Sequence, residues 1–394
     1  MKVLAVGGGS GGHVTPIAAV VKSLRNYDSS HEIRMWCDKA FEAQAREIIT
    51  AIDPDVRVDI ILAGKFRRYY GIPLFRQLLR FSDIVLPNII DAFKILAGFV
   101  QSFVKMIAWR PDVVFCKGGF VCLPAGIAAF LLRIPVVLHD SDAHPGLTNR
   151  VLSRVASYIA TGASLDNYQY PVEKASYVGI PISSDFRMFS KPEADDFKKK
   201  LGFDTRAPLV VVTGGGLGAK PINDTVVDVA GKLTKDINMI LITGTNQYAE
   251  IKEKLATIPA KKVKIFDFVS KGMVEMLGAA DVVVARAGAT TLLELAALGK
   301  PTVLIPNPNL TGGHQLKNAE YYEKNDACVM VSEEAMLASS TVFFDAVRSL
   351  AMDAKHQERL SLNIHRLAMP HAADDVARLL YKAAHQDMRR KEAA

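Results

Sequence analysis

Apolar positions along this chain fall into short continuous runs separated by longer amphipathic stretches. In the first half the runs lie at 2–6, 33–37, 56–62, 113–116, 136–139 and 159–161, many of them rich in β-branched residues. Runs of that kind predict strands buried on both faces. Between them, stretches such as 14–25 and 123–132 carry apolar residues at helical spacing. Strand–helix alternation of this kind predicts a parallel sheet covered by helices on each side. The alternation then restarts. A polar stretch with Ser183, Ser184, Lys191, Pro192, Glu193, Asp195 and Asp196 reads as a linker, and new runs follow at 209–213, 240–243, 263–266, 282–285, 302–305 and 328–331.

The first run of each half leads into glycines: Gly7-Gly8-Gly9-Ser10-Gly11-Gly12 in one, Gly214-Gly215-Gly216-Leu217-Gly218 in the other. The pattern predicts an α/β chain of two Rossmann-like domains whose parallel sheets face a central cleft. The expected domains are 1–182 and 183–369, with a C-terminal helix (about 370–394) packing back on the first. A length of 394 residues suits two such domains.

Composition narrows the classes. The four cysteines, Cys37, Cys116, Cys122 and Cys328, include no C-x-x-C pair, which excludes a disulfide framework and points to a reducing compartment. The N-terminal apolar run is too short for a secretory signal, so a cytoplasmic protein is expected. The stretch 84–104 contains Pro87, Asn88, Asp91, Lys94 and Gln101, too polar for a spanning helix. Between Gly64 and Arg110 eight basic residues stand against two acidic ones, so most of the formal net charge of +7 sits in one segment. A localised patch of this kind argues against diffuse nucleic-acid binding. Phe93, Leu96, Ala97, Val100, Val104 and Ile107 recur there at helical spacing, near Phe66, Phe75, Phe81 and Trp109. Such a helix either packs on a core or, with Arg67, Arg68, Arg76, Arg80, Lys94 and Lys105 around it, docks on anionic lipid.

Four motifs carry candidate chemistry. Gly7 to His13 follows a strand and opens a helix, where bare backbone amides can approach a phosphate. As a spacing, Gly7-x-Gly9-x-x-Gly12 also fits a dinucleotide fingerprint, with Asp38 as its ribose acid. The strand ending at Ala285 turns through Gly288 into a helix that places Glu294 one turn in, where a carboxylate can accept from ribose hydroxyls. A third motif runs from Gly312 through His314, Gln315 and Asn318, and the fourth is His139-Asp140-Ser141-Asp142. The pairs Asp140-x-Asp142 and Asp53-x-Asp55 are too short a pattern to predict a cation, and no metal is assigned.

Six ordered blocks resemble the MurG family of glycosyltransferases. They are Gly8-Gly9-Ser10-Gly11-Gly12-His13-Val14-x-Pro16; Gly118-Gly119-Phe120-Val121 with Pro124; and 135–139 with Gly146-Leu147-Thr148-Asn149. In the second half come Gly214-Gly215-Gly216-x-Gly218-Ala219; Arg286-Ala287-Gly288-Ala289-x-Thr291-x-x-Glu294; and His314-Gln315-x-x-Asn318-Ala319. The resemblance implies a GT-B fold and an inverting enzyme peripheral to the cytoplasmic face of the membrane, with neither metal nor cofactor. The implied reaction moves N-acetylglucosamine from UDP-GlcNAc to lipid I, an undecaprenyl-pyrophosphoryl-N-acetylmuramoyl-pentapeptide, to form lipid II. Its implied partners are these two substrates and anionic inner-leaflet lipids, not nucleic acid.

By motif match, His13 is the implied base, with Asp140 and Asp142 as the other candidates, and Ser10, Gly11 and Gly12 touch the donor. Ala289, Thr290, Thr291, Leu292, Leu293 and Glu294 hold UDP, with Val269 at the uracil and Gln315 near the sugar. Gly9, Gly118, Gly119 and Phe120 lie on the acceptor side. Three donor-side positions depart from the family: Asp142 stands for an asparagine, Ser183 for an arginine and Gly216 for a serine. An ionised aspartate accepts but cannot donate, and the lost arginine removes a charge-assisted phosphate contact. Three other functions compete; a non-catalytic membrane adaptor would explain the basic segment alone but not the glycine loops or Glu294. A diacylglycerol glycosyltransferase shares the fold and membrane patch, and an NAD-dependent dehydrogenase would use the first glycine loop but leave the second unexplained.

Overall fold

A computed structural model describes residues 1–9, 11–67, 81–141, 145–215, 218–269, 272–308 and 313–392. The chain divides into two units, Met1–Ser183 with Pro370–Ala394, and Ser184–Met369.

The first unit is built on the strands β1 (Lys2–Val6), β2 (Glu32–Cys37), β3 (Arg57–Ile60), β4 (Val113–Cys116), β5 (Val136–Asp140), β6 (Tyr158–Thr161) and β7 (Ala175–Tyr177). They pair in the order β3-β2-β1-β4-β5-β6-β7, every neighbour parallel. Its helices are α1 (Gly11–Tyr27), α2 (Glu42–Ile52), α3 (Leu86–Trp109), α4 (Cys122–Leu131) and α5 (Leu147–Leu152). Alternate strand residues explain why the runs are continuously apolar. Val3, Ala5, Ile33, Met35, Val113 and Phe115 pack to one side with Val14, Ile17 and Val21 of α1, while Leu4, Val6, Trp36, Val114 and Leu138 pack to the other with Ala125 and Ala128 of α4. At roughly 1.5–3 kcal/mol for each large apolar side chain, burial on two faces is the main drive of the unit.

The second unit repeats the plan with β8 (Leu209–Thr213), β9 (Asn238–Ile242), β10 (Val263–Phe266), β11 (Val282–Ala285), β12 (Thr302–Leu304) and β13 (Val329–Met330). They are all parallel, in the order β10-β9-β8-β11-β12-β13. Its helices are α6 (Lys191–Lys200), α7 (Lys220–Leu233), α8 (Tyr248–Lys254), α9 (Met273–Ala279), α10 (Ala289–Leu298), α11 (His314–Lys324), α12 (Glu333–Ala338), α13 (Ser340–Met352) and α14 (Ala354–His365). The last helix, α15 (Ala372–Glu392), lies in the first unit, where Val376, Ala377 and Leu380 join the core beside α1 and Ser23 Oγ donates to Asp374 Oδ1 at 2.6 Å.

Two features differ from the sequence-based expectation. The polar stretch read as a linker becomes helical at α6, because Ser190 and Glu193 form a capping box: the Glu193 carboxylate accepts from Ser190 N at 2.8 Å. Its charged residues sit on a helix surface instead of in extended chain. The edge strand β7 carries no apolar run, its residues being half-buried or exposed, and periodicity gave no sign of it.

Candidate functional site

In each unit the strand order reverses direction beside the first strand, between β1 and β4 and between β8 and β11. Ligands of open parallel sheets bind at the carboxyl ends of the strands at such points, and both glycine loops emerge there.

In the first unit the loop after β1 is held by Asp38. That residue follows β2, is largely buried, and accepts from Gly9 N through Oδ1 at 2.7 Å. Asp38 thus has a structural role in shaping the loop. The second wall is Lys117-Gly118-Gly119 after β4. Gly119 (φ +81°) is left-handed, and a side chain there would meet the His13 ring at 3.2 Å, so only glycine admits the imidazole at this spot. Gly9 is likewise left-handed and lies against the Phe120 ring. The loops therefore bring together Gly9, His13, Gly118, Gly119 and Phe120, five of the residues singled out from sequence.

His13 is in the first turn of α1, and its Nδ1 is buried without a hydrogen-bond partner. Burial, with the nearby charges of Lys117 and Lys65, pushes its pKa down to about 4, below the near-neutral value a surface imidazole would have. Two residues missed by sequence reasoning complete the floor. Lys117 is 1% exposed and donates through Nζ to Ser141 Oγ. Tyr170 donates to Asp140 Oδ2 at 2.7 Å, and Asp140 is itself buried at the end of β5. The available signal for Lys117 was a lysine set directly after a fully apolar strand and before two glycines. His139, also on β5, is wholly buried, contacts Gly179 O through Nε2 at 2.8 Å, and is held well below the usual imidazole range by that burial.

In the second unit α10 starts at Ala289 behind Gly288, which provides no side-chain cap. The Leu292 amide is already bonded to Gly288 O at 2.9 Å, and Leu292 and Leu293 bury their side chains. Of the run 289–294, the backbone at Ala289, Thr290 and Thr291 and the carboxyl of Glu294 are what remain for a ligand. Glu294 is half-buried, makes no hydrogen bond or ion pair among the described residues, and burial raises its pKa to about 8. Around this turn, Asn318 Nδ2 donates to Ala287 O at 3.0 Å and Gln315 Oε1 accepts from Asn307 N at 2.9 Å, which commits that oxygen to the protein. Arg286 and Glu333 form a buried ion pair directly before the turn, and Arg286 Nη1 also donates to Ile305 O at 3.1 Å. Val269 lies against the second unit's core, and Ser183 is half-buried at the last position of the first unit's main segment. Ser10, Asp142, Gly216, Arg68, Phe75, Arg76, Arg80 and Gly312 lie outside the described residues.

The ionisation of Glu294 gives a pH prediction. Its pKa rises from an ordinary 4.5 to about 8 on folding. The unfolded chain therefore loses this proton first, and folding stability drops as pH climbs from the lower value through the higher. Glu294→Gln is expected to flatten that decline, as read by urea denaturation at a series of pH values; an unchanged slope would contradict the burial of this carboxyl.

The remaining feature is α3. Leu86, Ile89, Ile90, Phe93, Leu96, Val100, Val104 and Ile107 are all more than 40% exposed, forming one apolar face, while Gly98, Ser102, Met106 and Trp109 face the unit. The predicted stripe is thus turned to solvent and not to the core. Two of the six basic residues predicted to flank it are engaged elsewhere: Lys94 pairs with Asp91 at 3.0 Å, and Lys105 lies over the Trp36 ring, 5.6 Å from its centroid. Arg67 is exposed. Among the described residues no helix is long and apolar enough to cross a membrane.

Comparison with known proteins agrees with the two-unit fold. Residues 3–161 match the glycosyltransferase family 28 N-terminal domain and residues 209–376 its C-terminal domain. The UDP-N-acetylglucosamine–N-acetylmuramyl-(pentapeptide) pyrophosphoryl-undecaprenol N-acetylglucosamine transferase of Clostridium kluyveri is 33% identical over 90% of this chain and 92% of its own. The enzyme of the same name from Limosilactobacillus reuteri subsp. reuteri is 30% identical over 97% and 98%. Among solved structures, Acinetobacter baumannii MurG superposes with a TM-score of 0.69 at 23% identity, covering 97% of this chain and 99% of that one. A UDP-GlcNAc 2-epimerase from Neisseria meningitidis, bound to UDP-GlcNAc, gives 0.65 at 13% identity, covering 97% and 100%. At these identities the structural likenesses establish the fold.

Proposed function

This chain belongs to the MurG family of glycosyltransferases, and on that premise we propose how its residues divide the work. It is a UDP-GlcNAc-dependent transferase that moves N-acetylglucosamine to lipid I, forming lipid II for peptidoglycan. The observation that carries this reading is the near full-length match to enzymes of that activity, joined to a strand–glycine–helix unit in each half.

Unit two takes the donor. Uncapped amides at the start of α10 stabilise the charge that develops on the departing UDP, and Glu294 accepts from ribose hydroxyls. Unit one takes the acceptor, with Gly9, Gly118, Gly119 and Phe120 shaping its loops and His13 removing the proton of the attacking 4-hydroxyl. Displacement from the face opposite UDP inverts the anomeric centre. Because an ionised carboxylate accepts from both ribose hydroxyls, UDP affinity should strengthen as pH approaches about 8 and then level off. Glu294→Ala should weaken UDP by about 1–3 kcal/mol. Calorimetry with UDP, and with NAD as the control nucleotide, tests this half; unaltered UDP affinity in a folded variant, or tight NAD binding, would reject it.

The enzyme works as a peripheral protein on the cytoplasmic face of the membrane, with no part in nucleic-acid binding. The apolar face of α3, bordered by the exposed Lys65 and Arg67, is what supports docking on anionic lipid. Replacing Phe93, Leu96 and Val104 with Asp should release the protein from anionic vesicles while UDP binding persists. Wild-type binding should also fall with salt. Equal sedimentation of variant and wild type with vesicles would remove this role from α3.

A further inference from the structure

Lys117 is a basic side chain sealed inside the first unit's loop floor, and neither donor nor acceptor binding as proposed uses it. It sits at the carboxyl end of β4, beside the point where the strand order reverses, and its backbone N–H still bonds Val6 O of β1 at 3.0 Å. Its side chain passes under Gly7, where a side chain would stand 3.5 Å from Lys117 Cβ, and ends on Ser141 after β5. One residue thus ties together the loops after β1, β4 and β5. His13 lies on the same floor, its carbonyl 3.2 Å from the same point at Gly7 and its ring against Gly119, two residues from Lys117. Burying an ammonium in this way is expensive unless the surroundings need it.

We propose that Lys117 is a positioning residue of the transfer step, whose buried side chain fixes these three loops and sets the floor against which His13 stands. Among the described residues, the groups that bear electrostatically on His13 are Lys117 after β4, Lys65 after β3 and His139 on β5, while Asp38 after β2 holds Gly9 of the same loop and Asp140 follows His139. Lys65 is exposed to solvent, which screens it, whereas Lys117 is sealed from solvent and acts at low dielectric. Lys117 also bears on His139, which is held neutral by the same combination of burial and positive charge. An uncharged imidazole is ready to accept the acceptor hydroxyl's proton throughout the neutral range. The link to catalysis rests on the reading of His13 as the base, while the link to His13 protonation does not.

The test uses the full-length chain with ring-labelled histidine, the His13 signal being assigned by its loss in His13→Gln. In the wild type, His13 should titrate well below 6.5; a wild-type midpoint at 6.5 would overturn the proposal without any variant. In Lys117→Met the midpoint should rise by about one pH unit, tenfold in proton affinity, while Lys117→Arg keeps it low. A Lys117→Met protein that still binds UDP but shows the wild-type His13 midpoint would also overturn it. The acid limb of kcat/KM should move upward by the same amount in Lys117→Met, whereas a purely structural defect lowers the whole profile without moving it. If His13→Ala retains its turnover, the base assignment fails, and the titration still decides what Lys117 does.

Discussion

His13→Ala is expected to lose roughly 10²–10⁴-fold in turnover, the usual worth of a positioned general base, while keeping its affinity for UDP-GlcNAc. The split follows from the division between units: His13 belongs to the first, and the uncapped turn of α10 with Glu294 belongs to the second. Steady-state rates with saturating donor, beside a separate titration of UDP, read the two effects independently. The low pKa of His13, about 4, adds a signature. Activity of the free enzyme should persist to more acid pH than an ordinary imidazole would permit, and the limb should vanish in the alanine variant's residual rate. A variant within a few-fold of wild type would make His13 a loop residue and turn attention to Asp140, already buried at the end of β5.

The second large effect concerns stability. Arg286 and Glu333 are each about one-tenth exposed and face each other immediately before the turn that starts α10. Removing one partner of a buried ion pair strands the other charge in a poor solvent for it, at about 3–5 kcal/mol. Arg286→Met should therefore destabilise the second unit by that order, seen as an early unfolding transition in urea. The double variant Arg286→Met with Glu333→Leu should recover most of the loss, since two apolar groups leave no buried charge unpaired. A loss in the double variant equal to the sum of the singles would show that the pair is not coupled. UDP affinity should suffer in the single variant even where folding is complete, because Arg286 Nη1 bonds Ile305 O and so ties the turn to the end of β12.

Much of this architecture was readable in the sequence because burial on two faces leaves an unmistakable mark: strands β4 and β11 are apolar throughout and β1 and β8 are so but for one end residue, with glycines immediately after the first of each unit. The signal fails where that physics is absent. β7 lies at a sheet edge with no buried residue, and α6 is polar and was declared only by its capping box. The site shows the same contrast. Glycine loops and Glu294 were legible as motifs, whereas Asp38, a possible ribose acid only in the dinucleotide alternative, is found holding Gly9 N. Lys117 went unremarked because composition cannot say that a lysine is sealed inside a loop floor. The α3 stripe was visible as periodicity, yet the same pattern serves a core or a membrane, and only the exposed side chains separate the two.

Transfer of N-acetylglucosamine from UDP-GlcNAc to lipid I is read directly by a radiolabelled sugar-transfer assay. Lipid I and diacylglycerol are offered in turn as acceptors, each with UDP-GlcNAc and with UDP-glucose. Label is expected in lipid II from the pair of UDP-GlcNAc and lipid I, with the other three combinations near background. Preferred transfer to diacylglycerol, or equal use of UDP-glucose, would contradict it.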